Sequence, residues 1–169
     1  MAKIKKKQLV VKEEDCVGCE ICESVCSMVH DTEFNPINSR ITRIRIEPLI
    51  NMALNCQFCV DPACVKACQL NAIKQNPETK TIEVLDACDA CGSCVKACPF
   101  GVIKLHTSKR KALFCDLCKN TETGTPQCIE YCPKEAIYLI DVEVDENEDV
   151  IETSKNLVKG PFPEKVEST

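Results

Sequence analysis

CDACGSCVKACPFGVI, residues 88–103, carries Cys88, Cys91, Cys94 and Cys98 in the spacing C-x2-C-x2-C-x3-C, with Pro99 directly after. Cysteines at successive three-residue steps let their thiolates converge from one backbone turn onto three irons of an iron–sulfur cube. A tetrahedral zinc ion is served less well, because its ligands normally come as two separated pairs.

Working outward, the same pattern recurs imperfectly on both sides, as copies of one unit would. Cys16, Cys19, Cys22 and Cys26 repeat the spacing; Cys56, Cys59, Cys64 and Cys68 widen the middle gap to four residues, and Cys115, Cys118, Cys128 and Cys132 widen it to nine. All 16 cysteines of the 169-residue chain fall into these quartets. The fourth cysteine of each is expected at the start of a short helix pointing away from its own cubane; in two-cluster ferredoxins such a cysteine ligates the neighbouring cluster. Zinc stays an alternative for the fourth quartet taken alone, whose long loop resembles a zinc ribbon.

Disulfides are the other use of so many cysteines, and compartment decides between them. The N-terminus, MAKIKKKQLVVKEED, has only Leu9, Val10 and Val11 before charge returns, so no signal-peptide core and no twin-arginine signal is read there. No stretch approaches the roughly 18 apolar residues of a membrane span. The expectation is a soluble, cytoplasmic chain in which cysteine holds metal. Composition agrees: with no Trp, two Tyr and five Phe, aromatic burial cannot organise the core, whereas metal ligation can.

Between the quartets, strands are predicted at 72–75 and 81–84 around a turn at 76–80, at 102–105 and 111–114 around a second turn, and at 136–140. Arg40, Arg43 and Arg45 alternate with Ile41, Ile44 and Ile46 in a further expected strand whose solvated face carries the arginines. The net charge is −5, with Lys3, Lys5, Lys6 and Lys7 at one end and an acidic run at 141–152 near the other. Both read as solvated surface, with no basic stripe for nucleic acid. His30 and His106 are the only histidines and read as surface or capping residues, with a hydrogen bond toward a cluster sulfur as the alternative. Only five glycines occur, none as G-x-G-x-x-G, which argues against a flavin or nicotinamide site.

CQFCVDPACVKACQLNAI (56–73), CDACGSCVKACPFGVI (88–103) and CDLCKNTETGTPQCIEYCPKEAI (115–137) resemble motifs of the four-cluster [4Fe-4S] ferredoxin-like small subunits of molybdenum and tungsten oxidoreductases. CVGCEICESVCSMVHDTEFNPINSRI (16–41) looks most like the iron–sulfur subunits of tungsten-containing aldehyde oxidoreductases and related benzoyl-CoA reductase complexes. The resemblance implies an α+β fold of two interleaved dicluster-ferredoxin-like modules built from short strands, short helices and cluster-binding loops. It places a four-cluster domain over 1–140, with an inner module at about 50–105 and an outer one at about 10–49 plus 106–140; residues 141–169 form an acidic segment and tail, wrapped on a partner or disordered. It also implies four ligand sets: Cys16, Cys19, Cys22 and Cys132; Cys56, Cys59, Cys64 and Cys98; Cys88, Cys91, Cys94 and Cys68; Cys115, Cys118, Cys128 and Cys26. Ser27 and Gln69 stand where the pattern has proline, which leaves ligation intact, since proline shapes the turn without binding iron, but is expected to change the hydrogen bonds around those sulfurs.

The implied function is that of an electron-transfer subunit, not catalytic alone. It would relay single electrons between a tungsten- or molybdenum-pterin catalytic subunit and a ferredoxin or other external partner. A free-standing polyferredoxin, or the corresponding subunit of a formate dehydrogenase or hydrogenase complex, is the alternative.

Overall fold

The first C-x2-C step of every quartet turns on a left-handed residue just before its second cysteine: Gly18 (φ 66°), Phe58 (φ 48°), Ala90 (φ 60°) and Leu117 (φ 58°). Three of these have side chains that disfavour this conformation, so the turn is imposed by what the loop surrounds rather than by local preference. At the first, glycine is needed for space as well, because a Cβ on Gly18 would lie 2.6 Å from Oδ1 of Asn51.

The computed structural model describes residues 3–46 and 50–145. Four helices follow the cysteine loops: α1 (Ile21–Asp31), α2 (Ala63–Lys66), α3 (Ser93–Ala97) and α4 (Gln127–Glu130). Pro62 and Pro126 stand immediately before α2 and α4, where a missing N–H costs the helix nothing. The fourth cysteine does not start a helix as expected. Cys98 caps the C-terminus of α3, Cys68 and Cys132 lie just past α2 and α4, and Cys26 sits inside α1. The helix therefore bridges the third and fourth cysteines, and its length carries the last thiol away from the loop that holds the first three.

After the last cysteine of the second, third and fourth quartets the chain reverses through another left-handed residue, Asn71, Gly101 or Glu135. The next amide donates back to sulfur: Ala72 N to Cys68 Sγ and Ala136 N to Cys132 Sγ, both at 3.3 Å. Gln69 in place of proline thus leaves the turn unchanged. Ser27 marks a real departure, since α1 runs on to Asp31 and the amide facing Cys26 Sγ comes instead from Arg40, at 3.2 Å.

Strands pair in four two-stranded antiparallel sheets among the described residues. β2 (Thr42–Ile46) pairs with β3 (Ile50–Leu54), β4 (Ile73–Gln75) with β5 (Ile82–Val84), and β6 (Lys104–Leu105) with β7 (Ala112–Leu113). The last two are the predicted hairpins, trimmed at their ends; β2 is the strand expected at the arginines, and its partner β3 was not expected. The longest sheet joins β1 (Lys3–Val11) to β8 (Ile137–Asp145) in a nine-pair register. β1 was not expected, and residues 141–145 of the acidic segment are the second half of β8; the remainder of that segment and the tail lie outside the described residues.

Lys5, Lys7, Asp141 and Glu143 are exposed, in line with the solvated reading of the two charge runs; the register adds that Lys7 stands opposite Asp141 and Lys5 opposite Glu143, the latter pair at 3.1 Å. Lys6 points the other way and is buried. The arginines depart similarly from an open solvated face: Arg43 bonds Glu20 at 2.6 Å, and Arg40 precedes β2 with its Nη1 buried.

The core gathers apolar residues from the strands, among them Leu9, Ile73 and Ile137, and from the segments between them, among them Ile41, Phe58 and Ile103, around Cys26, Cys56, Cys64, Cys94, Cys115 and Cys128. Thiols thus occupy the positions that large hydrophobic side chains would fill in an ordinary domain of this length.

Candidate metal centres

Each set of four cysteines named from the sequence is brought together in the fold. Cys16, Cys19, Cys22 and Cys132 line one cavity, closed by Val17, Ile21 and Pro133. Cys68, Cys88, Cys91 and Cys94 line a second, with Leu70 and Ile73. Cys26, Cys115, Cys118 and Cys128 line a third, with Leu9, Ile41 and Leu117. Cys56, Cys59, Cys64 and Cys98 form the remaining group, each of the first three within electrostatic reach of Cys98. In every case three thiols come from one loop and one from the end or interior of a helix belonging to another quartet.

The donor chemistry fits iron–sulfur clusters. The thiols are set around a space in fours; among the described residues no three His, Cys, Asp or Glu side chains meet at one point as a single ion requires. Burial, followed by the charge of neighbouring thiols, pushes Cys56 up to about 12 and Cys64 up to about 11; burial, with Glu23 next, pushes Cys22 up to about 12. Burial and the charge of neighbouring thiols raise Cys115 and Cys128 as well. Four such thiols cannot stay together as thiolates unless cations neutralise them, and binding metal must release their protons.

The sites form a line. Cys22 of the first raises Cys128 of the Cys26 site, and Cys56 of the next raises Cys115 of that same site, so each pair is close. Cys68 and Cys98 exchange between the last two sites across the packed helices α2 and α3. The order is therefore the Cys16 site, the Cys26 site, the Cys56 site and the Cys88 site. Exposure follows it: Cys19 and Cys91, at the two ends, are exposed, while all four thiols of the Cys26 site are buried.

Against expectation His106 is buried and the His30 ring is only 5% exposed, and His30 lines the Cys26 site. His30 Nδ1 lies 2.9 Å from the carbonyl of Cys26 and Nε2 lies 2.9 Å from Asp116 Oδ1. With an acceptor at each nitrogen, both must donate, so the ring is an imidazolium. Burial opposes that charge, but the bonds to Asp116 and Cys26 outweigh it and raise the group to about 9. His106 is the opposite case: its Nδ1 accepts the amides of Ser108 and Lys109, at 3.1 and 3.0 Å, and Nε2 donates to Asp31 at 3.2 Å. It joins the end of α1 to the turn after β6.

The residues missed by sequence reasoning are those that hold the Cys56 loop. Lys6 Nζ donates to the carbonyls of Gln57 and Phe58 at 2.7 and 3.1 Å, and Gln8 Nε2 to that of Cys56 at 3.3 Å. Their only sequence signal is alternation at positions 6 and 8 of an N-terminal strand that was not recognised.

Comparison with known proteins agrees with the geometry. Residues 49–142 match the family described as 4Fe-4S dicluster domain, and residues 13–29 match the 4Fe-4S binding domain. The chain belongs to the 4Fe-4S dicluster-domain family. Among relatives of this iron–sulfur protein, the polyferredoxin-like subunit of an aliphatic sulfonate oxidoreductase from Pyrococcus furiosus is 36% identical over 125 residues, 73% of this chain and 70% of that one. YsaA of Escherichia coli strain K12, named as an electron transport protein, is 34% identical over 143 residues, 80% of this chain and 90% of its own. Among solved structures, the as-isolated active site complex BamBC of benzoyl coenzyme A reductase contains a chain with a TM-score of 0.50 and 20% identity, covering 94% of this dicluster-family chain and 90% of that one. It shares the fold. Among the described residues no helix is long and apolar enough to cross a membrane.

Proposed function

We propose that this chain is an electron-transfer subunit carrying four [4Fe-4S] clusters. It relays single electrons in the cytoplasm between a tungsten- or molybdenum-pterin catalytic subunit of an aldehyde-type oxidoreductase and an external carrier such as a ferredoxin. The observation that carries the reading is the succession of four-thiol sites, with Cys19 and Cys91 exposed at its ends and all four thiols of the Cys26 site buried within it. The motif at 16–41, the names of the relatives and the fold shared with a chain of the benzoyl coenzyme A reductase complex support the choice of partner.

When bound, each cluster takes up and gives back one electron. The protein supplies the rest. Cys16, Cys19, Cys22 and Cys132 hold the first cluster; Cys26, Cys115, Cys118 and Cys128 the second in line; Cys56, Cys59, Cys64 and Cys98 the third; Cys68, Cys88, Cys91 and Cys94 the last. Sharing cysteines between quartets fixes neighbouring sites at short separation in the two interleaved modules. Amides aimed at sulfur, from Ala72, Ala136 and Arg40, favour the more negative, reduced state. Apolar walls such as Leu9, Ile41 and Leu117 keep water from the buried site.

Native anaerobic purification with metal analysis tests this. About sixteen irons per chain is the expected value for four cubanes, with tungsten or molybdenum in a co-purifying large subunit. About twelve irons would remove one cluster, and elution without a partner would favour a free carrier.

A further inference from the structure

The loop from Cys56 to Cys59 differs from its counterparts in what its carbonyls meet. Cys56 O accepts from Asn55 Nδ2 at 2.9 Å and Gln8 Nε2 at 3.3 Å, Gln57 O and Phe58 O accept from Lys6 Nζ, and Cys59 O accepts from Gln75 Nε2 at 2.7 Å. Four successive carbonyls are thus turned outward onto side-chain donors. In the other C-x2-C loops the side-chain donors that meet carbonyls are fewer: Thr121 Oγ1 on Cys118 O at 2.6 Å, and a long, exposed contact of 3.5 Å from Arg110 to Asp89 O.

Two physical consequences follow. A peptide whose carbonyl is bound on one side presents its N–H to the other, and donation to the carbonyl polarises that N–H. The amide of Phe58 is the one that faces Cys56 Sγ, and both Gln57 and Phe58 carbonyls rest on the Lys6 ammonium. The ammonium itself belongs to a residue only 4% exposed, where a charge acts through low dielectric, and it is near enough to Cys59 to favour its thiolate. Reduction adds one negative charge, so a fixed cation beside the loop and polarised amides within it favour the reduced state.

We infer that Lys6, reaching from β1 with Gln8 beside it, is a positioning residue that raises the reduction potential of the cluster held by Cys56, Cys59, Cys64 and Cys98 above the value its ligands alone would set. The inference rests on the four-cluster reading above. Among the described residues the strand partner of β1 is β8, so an outer strand tunes a site built from the second and third quartets.

Wild type, Lys6→Gln and Lys6→Arg proteins, purified anaerobically as full chains, are compared by iron content and by redox titration followed by electron paramagnetic resonance. Lys6→Gln keeps a donor to the carbonyls but removes the charge. It is expected to retain iron and to move one of the four potentials negative by at least a tenfold change in reduction equilibrium, about 59 mV for one electron, with Lys6→Arg restoring it. Four unmoved potentials in Lys6→Gln with iron intact overturn the inference. Should Lys6→Gln lose one cluster's iron, Lys6→Arg decides: iron kept at wild-type potentials supports a role for the charge, and loss in both variants overturns it by making Lys6 a packing residue. Wild-type protein with fewer than four clusters would instead fail the four-cluster reading, and iron analysis alone shows that.

Discussion

Replacing Cys98 by alanine separates interleaved sites from sequence-local ones. Cys98 lies four residues after Cys94, yet its thiol acts on Cys56, Cys59 and Cys64 and is absent from the main influences on Cys94, which are burial, the backbone amides of Val95 and Cys94, and the thiols of Cys88 and Cys91. The expected loss is about four of about sixteen irons, and it should free Cys56, Cys59 and Cys64, not Cys88, Cys91 and Cys94. Thiol alkylation with peptide mass spectrometry reads this directly, since iron-bound thiolates are protected. Burial first, then the neighbouring thiols, pushes Cys56 up to about 12. At pH 8 about one Cys56 in 10⁴ is therefore reactive thiolate if the freed loop keeps its fold, rising about tenfold per pH unit. Cys64, raised to about 11, should label about tenfold faster. Both rates are lower bounds, because Cys98 is one of the groups that raise these thiols. Alkylation of Cys88, Cys91 and Cys94 with the Cys56 set protected would refute the crossed arrangement. Cys68→Ala is the mirror experiment and should open the Cys88 set.

Gly18→Ala places a left-handed alanine against Asn51, whereas Gly101→Ala and Gly124→Ala, at φ 63° each, meet nothing within 4 Å. All three carry a backbone cost of about 1–2 kcal/mol; denaturant unfolding should show Gly18→Ala less stable than the other two, and equal losses would remove the steric argument. Burial works against the charge of Asp31, but bonds from Lys109 and His106 hold its carboxyl below the usual range. A depressed carboxylate stabilises the fold above its unfolded value and loses that effect as pH falls through the folded one. Asp31→Asn should therefore be less stable than wild type at pH 7, and the gap should close toward pH 3 in the same unfolding assay. Reconstitution of the iron-free chain with iron and sulfide should release about one proton per thiol bound, beyond those lost by hydrosulfide as it enters the cluster, and should tighten as pH rises, since burial keeps Cys22, Cys56 and Cys64 protonated at neutral pH. A pH-stat titration without proton release would refute it.

Much of the site was legible because the C-x2-C step carries its geometry locally. The hairpins flanking Asn76 and Thr107 were legible for the same reason, since turn residues and alternation act over a few positions. The fourth cysteine's place was misjudged because a helix that begins at the third cysteine and one that begins at the fourth differ by a single turn, and four- or five-residue helices leave no periodicity to read. His30 and His106 were taken for surface residues because their partners, Asp116 and Asp31, lie 86 and 75 positions away.

The amino-acid sequence alone determined the kind of metal centre, the number of cysteine quartets and the hairpins between them, since each depends on spacing within about a dozen residues. Only the tertiary structure decided that the N-terminal lysines and the acidic run form one sheet, that the sites follow one another in a line, and that Lys6 and Gln8 reach the Cys56 loop. Those facts depend on pairing between residues at opposite ends of the chain, such as Val11 with Ile137. Local pattern specifies the faces available for such a pairing, and only packing of the whole chain selects which two meet.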